Sequence, residues 1–202
     1  IVEFPGESIS SIFKKTIETL ENTIGVFYIY NKSKKLIYVD YSKDIKNKVI
    51  KLFTSKKFIP KYVQNNFKSI KVHKTGNIEI AILKAIQEIK SLRPKINNNI
   101  DPKLFHKIDI PQIIIDKKNF IITFSGKKDD EKGFILFKDK KVIGYGYFDL
   151  FNNINTEKKL NSRVVKVNEC KKVKNYLYRL ISEKRYKKLL TLNEIYKFSG
   201  VE

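Results

Sequence analysis

The chain has 202 residues, 42% of them hydrophobic, with 42 Lys and Arg against 21 Asp and Glu, a formal charge of +21. That apolar content excludes a disordered chain and is enough for one large domain or two small ones with cores of their own. No apolar run approaches the ~18 residues of a membrane-spanning helix, so no membrane partner is expected. A field this positive favours a polyanion, with nucleic acid, DNA or RNA, the first expectation. Composition offers a plainer source for the charge. Lys, Ile, Asn, Tyr and Phe are abundant together and Arg is scarce, the pattern an AT-rich genome imposes on its proteins. Cys170 is alone and His73 and His106 lack metal-ligand spacing, so no disulfide framework and no bound metal or other cofactor is expected. The chain starts at Ile1 without a Met, and its first residues are not read as a signal peptide. A reducing, cytoplasmic location fits a lone cysteine in a basic chain.

Along the chain, Ile9, Ile12, Phe13, Ile17 and Leu20 recur at helical spacing, which predicts an amphipathic helix over Ser8 to Leu20. Two strand-like runs follow, Gly25 to Tyr30 and Lys35 to Val39, joined as a hairpin by the polar turn Asn31 to Lys34. Ser42 is a candidate cap for a helix through Ile45, Val49 and Phe53, with Asp44 in its first turn. Tyr62 to Phe67 is a further helical segment and Ser69 to His73 a third strand. A longer helix, Asn77 to Leu92, carries Ile78, Ile82, Ala85, Ile86 and Ile89 on one face and stops before Pro94.

The polar, proline-broken stretch from Asn97 to Pro111 marks a boundary. Beyond it the runs Gln112 to Asp116, Phe120 to Ser125, Gly133 to Lys138 and Val142 to Phe148 read as strands. A tight hairpin is expected at Phe137 to Val142, and Gly144 and Gly146 mark a strand that another backbone approaches closely. A helix from Glu169 to Glu183 and an edge strand at Leu189 to Leu192 complete the reading.

Three features then arrive in order. Gly25-Val26-Phe27 begins one strand, Tyr38-Val39-Asp40 ends the next, and Tyr41 to Val49 leads into a helix. Further on stand Thr75-Gly76, the run Ala81-Ile82-Leu83-Lys84-Ala85 and the ending Arg93-Pro94-Lys95-Ile96-Asn97. In order and spacing this part of the chain resembles a GIY-YIG nuclease domain. The later part, Asn119 to Leu192, resembles the tail of Bacteroidota fusions in which a DNA polymerase III epsilon-type exonuclease precedes a GIY-YIG domain. The residues carrying that second resemblance are Gly133 to Leu136 and Lys141 to Tyr147. The expected fold is α+β. A lead-in over 1–24 precedes a small GIY-YIG-like domain over 25–98, a three-stranded antiparallel sheet flanked by helices. A linker over 99–111 and a small α/β domain over 112–202, with antiparallel strands and a C-terminal helix, follow.

The resemblance implies phosphodiester hydrolysis with one divalent metal, held by a Glu on the long helix. Two strand tyrosines would help deprotonate water and an Arg would brace the phosphate. Carried onto this chain, the degenerate catalytic positions are Phe27 for the first Tyr, Tyr38 for the second, Asp40 for a Gly, Lys48 for the Arg and Ala85 for the Glu. A methyl group ligates nothing. Glu88, one turn further on, is the only stand-in, with Mg²⁺ or Mn²⁺ as cofactor if activity survives; Glu79 lies on another side of the helix. Asp129, Asp130 and Glu131 read as a solvated hairpin loop. The leading expectation is an inactivated nuclease domain that binds nucleic acid through Lys43, Lys46, Lys48 and Lys51, with Tyr28, Tyr38 and Tyr41 available for stacking. The alternatives are an assembly subunit on a larger protein or ribonucleoprotein complex, and an active repair-associated nuclease with a relocated metal ligand.

Overall fold

The computed structural model describes residues 11–55, 58–97, 101–149 and 154–198. In the polar turn after the first strand, Lys34 takes a positive φ of 58° and its N–H donates to the Asn31 carbonyl at 2.9 Å. That turn joins β1 (Gly25–Asn31) to β2 (Leu36–Ser42). On the other side of β1, β3 (Phe67–Lys74) pairs antiparallel, giving the order β2-β1-β3. Around this sheet stand α1 (Ser11–Thr19), α2 (Ile45–Thr54), α3 (Phe58–Asn66) and α4 (Ile78–Leu92). The helix expected from Ser8 is described from Ser11 onward, and Ile9 lies outside the described residues.

Phe13 and Ile17 of α1, Val49 and Phe53 of α2, and Val63 of α3 share one buried core with Phe27, Ile29 and Phe67. The Phe13 ring stacks on Phe53 at 3.8 Å between centroids and meets Phe67 edge-on at 5.7 Å, the second being an arrangement that aromatic quadrupoles favour. α4 packs on β1 and β2 and buries Ile80, Leu83, Ala85, Ile86 and Ile89. The cap of α2 differs from the expectation. Asp44 itself is the N-cap, its carboxylate accepting from the Asn47 N–H at 3.0 Å, while Ser42 Oγ accepts the Asp44 N–H at 3.0 Å. A carboxylate complements the positive helix terminus better than a hydroxyl does, and Ser42 is left bracing Asp44.

The chain divides into two units, Ile1–Ile100 and Asp101–Glu202. The second is built on a five-stranded antiparallel sheet of order β7-β6-β5-β4-β8. Its strands are β4 (Asn119–Ser125), β5 (Glu131–Lys138), β6 (Lys141–Asp149), β7 (Val165–Lys166) and β8 (Lys188–Thr191). Ile121, Phe134 and Leu136 face Leu160 of α6 (Glu157–Ser162) and Ile195 of α8 (Leu192–Phe198). Phe120 and Phe137, directly paired across β4 and β5, stack at 4.7 Å. α7 (Lys171–Ser182) buries Val173, Tyr176, Leu177, Leu180 and Ile181 on one face.

The hairpin turn is tight as expected, with Asp139 at φ 48° and Lys140 at φ 64°. The close approach read from Gly144 and Gly146 is also present. A Cβ on Gly144 would sit 2.2 Å from the Val165 carbonyl oxygen, and one on Gly146 2.4 Å from that of Arg163.

Gln112 to Asp116, expected as a strand, is instead α5 (Gln112–Asp116). Of its three isoleucines, Ile114 is 1% exposed and Ile115 46%, so a single helical turn buries what this segment has to bury. Gln112 Nε2 also donates to Asp116 Oδ1 at 2.8 Å, a bond between neighbours one turn apart. The stretch expected as a linker is tied to α7. Its 3₁₀ turn Pro102–Phe105 offers the Lys103 carbonyl to Arg179 Nη1 at 2.7 Å and the Phe105 carbonyl to Asn175 Nδ2 at 2.8 Å.

Candidate functional site: a self-paired cleft on the first sheet

The β1–β2 register sets Phe27 opposite Asp40 and Ile29 opposite Tyr38, so all four side chains leave one face of the sheet. Phe27 is fully buried, its ring centroid 6.1 Å from that of Tyr38. The Tyr38 hydroxyl donates to Asp40 Oδ2 at 2.8 Å, and the Lys48 ammonium lies 2.7 Å from the same oxygen. The Tyr41 backbone N–H donates to Asp40 Oδ1 at 2.8 Å. Lys48 reaches across from α2, donates also to the Tyr41 carbonyl at 2.8 Å and sits 4.9 Å above the Tyr41 ring. Both carboxylate oxygens of Asp40 therefore have donors, and the ion pair is locally neutral.

Burial, then the Asp40 charge and the hydrogen bond to it, push the Tyr38 phenol far above the usual tyrosine range. Tyr38 is thus a protonated hydrogen-bond donor to the Asp40 carboxylate. The remaining expected catalytic position, Ala85, is fully buried on α4. Glu88 Oε1 is paired with Lys84 Nζ at 2.7 Å, and Glu79 is 6% exposed in the first turn of that helix.

A divalent cation takes several oxygen ligands. Ala85 supplies none, the Asp40 oxygens are engaged and Glu88 is held by a lysine. Among the described residues no three His, Cys, Asp or Glu side chains are grouped so as to hold a metal ion. The metal implied by the resemblance does not fit this donor set.

Asn97 has a part that its place in the Arg93 to Asn97 motif did not reveal. Its Oδ1 accepts the Val39 N–H at 3.0 Å and its Nδ2 donates to the Val39 carbonyl. One residue earlier, the Ile96 N–H donates to the Ile37 carbonyl at 3.0 Å. The segment after α4 thereby occupies the free edge of β2 beside the cleft.

The candidate contact residues do not form a single face. Lys43 and Lys51 are exposed, whereas Tyr28 is 6% exposed, which removes it from the stacking set. At roughly 100° per residue, Lys46 and Lys48 lie on opposite flanks of α2, and only Lys48 reaches the cleft. In the second unit Asp129, Asp130 and Glu131 line a cavity of about 610 Å³. Glu131 opens β5 rather than belonging to a free loop, and its Oε2 accepts the Lys127 N–H at 2.7 Å. No helix among the described residues is long and apolar enough to cross a membrane.

No family model matches the chain. It is 27% identical over 176 residues to the UvrABC system protein C of Borreliella burgdorferi, a match covering 84% of this chain and 26% of that protein. The chain is similar to UvrC. The UvrABC system protein C of Borrelia garinii subsp. bavariensis is likewise 27% identical over 179 residues, with the same shares covered. The chain thus spans about a quarter of the length of these relatives. A match to 84% of the chain is longer than either unit and so extends over both. Among solved structures, the GIY-YIG N-terminal endonuclease domain of UvrC from Thermotoga maritima, bound to magnesium, is 20% identical with a TM-score of 0.40. It covers 45% of this chain and 99% of that one. A variant of that domain with a tyrosine replaced by phenylalanine gives 21% identity and the same TM-score. The UvrC relatives support the GIY-YIG resemblance and do not bear on the resemblance of the later part to exonuclease fusions.

Proposed function

We propose that this chain is a GIY-YIG nuclease-like protein that has lost its chemistry and binds nucleic acid, or a nucleoprotein complex, in DNA repair. The UvrC relatives support the repair setting, and the solved relatives are described as an endonuclease domain bound to its catalytic divalent cation. The observation that carries the loss of chemistry is the closed set Tyr38–Asp40–Lys48 beside a fully buried Ala85. A nuclease needs an anion-binding cation, a metal ligand and a proton acceptor. Here the cation is neutralised, the ligand is a methyl group and the phenol is held protonated. A relocated ligand at Glu88 would first have to release Lys84. The net charge of +21 and the exposed Lys43 and Lys51 supply attraction to a polyanion that needs no working active site.

The test is one gel. Labelled single- and double-stranded DNA and RNA are incubated with the protein, with and without Mg²⁺ or Mn²⁺. Binding that weakens steeply with salt and leaves every strand intact is expected. Metal-dependent cutting would refute the loss of chemistry. Neither binding nor cutting would transfer the case to an assembly subunit that docks on a larger protein or ribonucleoprotein complex.

A further inference from the structure

Three donors converge on one carboxylate in the cleft: Lys48 Nζ at 2.7 Å and the Tyr38 hydroxyl at 2.8 Å from Oδ2, and the Tyr41 N–H at 2.8 Å from Oδ1. An ammonium, a hydroxyl and a backbone N–H shared over the two oxygens of one anion are the groups that hold a phosphate, at the same heavy-atom distances. We propose that this is an anion site whose occupant is the chain's own Asp40, and that it takes a phosphate group once that carboxylate is removed.

The inference rests on the reading that the cleft performs no chemistry and adds what the cleft does instead. Asp40 follows directly on Tyr38 and Val39 in a paired strand, so its carboxylate is presented at very high effective concentration and competes with any phosphate from solution. The Asp40 side chain is 15% exposed and that of Lys48 39%, so the site opens to solvent on the lysine side and an outside anion has a way in. Removing the carboxylate changes the local charge from zero to +1. In the native protein Asp40 therefore keeps a nucleic-acid phosphate off Lys48, and backbone contacts fall to lysines outside the cleft.

Binding of inorganic phosphate to the full chain, followed by ³¹P NMR titration, tests this without reference to cleavage. The wild type is compared with Asp40→Ala, with Asp40→Ser, and with Asp40→Ala combined with Lys48→Ala. The smaller Ser variant clears the anion position and keeps a polar group on β2, so the test survives if the alanine variant folds poorly. The expected result is phosphate binding about tenfold tighter on loss of the Asp40 charge, the scale of one charge-assisted hydrogen bond, with the gain abolished by Lys48→Ala. No gain in either single variant, or a gain that persists without Lys48, would overturn the proposal. Cleavage of nucleic acid by the wild type would instead refute the loss of chemistry and leave this titration standing.

Discussion

Asn97→Ala removes two hydrogen bonds at once. The Val39 N–H loses its acceptor and the Val39 carbonyl its donor, both on the side of β2 away from β1. Val39 is fully buried, so its freed groups gain little access to water. Each bond is worth about 0.5–1.5 kcal/mol, and a buried donor left unpaired costs more. The expected loss for the first unit is about 2–3 kcal/mol. Hydrogen exchange at the Val39 amide reads this locally, which matters in a chain of two units whose global melting need not be two-state. Protection of that amide is expected to fall roughly 30- to 150-fold. Asn97→Asp keeps the acceptor, loses the donor and sets a carboxylate against the Val39 carbonyl, so it should lose at least half as much. Unchanged Val39 protection in Asn97→Ala would mean that water replaces the clamp, and the account of Asn97 as an edge substitute would fail.

Gly144→Ala forces a methyl to within 2.2 Å of the Val165 carbonyl oxygen. It should cost about 2 kcal/mol or more and release β7 from β6, read as lost protection at the β6–β7 amides; a variant as stable as the parent would refute the close approach. The Tyr38 pKa is raised on folding, so its contribution is full below the unfolded value of about 10 and is lost as pH climbs above it. Tyr38→Phe should therefore flatten the alkaline fall in urea midpoint between pH 9 and about 11.5, and parallel curves for the two proteins would contradict the buried, Asp40-bonded phenol. Ala85→Glu buries a carboxylate at a fully enclosed position, which should lower stability by at least about 2 kcal/mol. It should restore no metal-dependent cleavage, since Asp40 still holds Lys48; cutting by this single variant would show that the missing ligand was the whole loss.

The fold was most legible where local chemistry and tertiary demand agree. The polar turn at Asn31 to Lys34, the stop before Pro94 and the two glycines of β6 each name a backbone requirement that only certain residues meet, and each appears as expected. The misreadings fall where periodicity is short. Ile113 to Ile115 is three residues long, and a run of that length cannot separate a buried strand from one helical turn. α6, β7 and α8 have six, two and seven residues, too few for an apolar pattern to repeat. β7 in particular exists because Gly144 lets Val165 approach, a requirement written on its partner strand rather than on β7 itself.

The site was legible as a set of substitutions but not as a structure. On the GIY-YIG resemblance Asp40 stands where a glycine is expected and Lys48 where an arginine is expected, and each difference by itself reads as damage. Only the register and the reach of α2 show that the two residues complement each other, the Asp40 carboxylate accepting from the Lys48 ammonium at 2.7 Å. Without Asp40, Lys48 and Tyr38 would face a vacant anion position in a partly buried cleft. Without Lys48, Asp40 would be a half-buried carboxylate held only by a phenol and one backbone N–H. Asp40, 15% exposed, is the partner left poorly compensated when the other is removed, whereas Lys48, 39% exposed, keeps access to water. Reversing Ala85 or Asp40 separately should yield a less stable protein before it yields a nuclease.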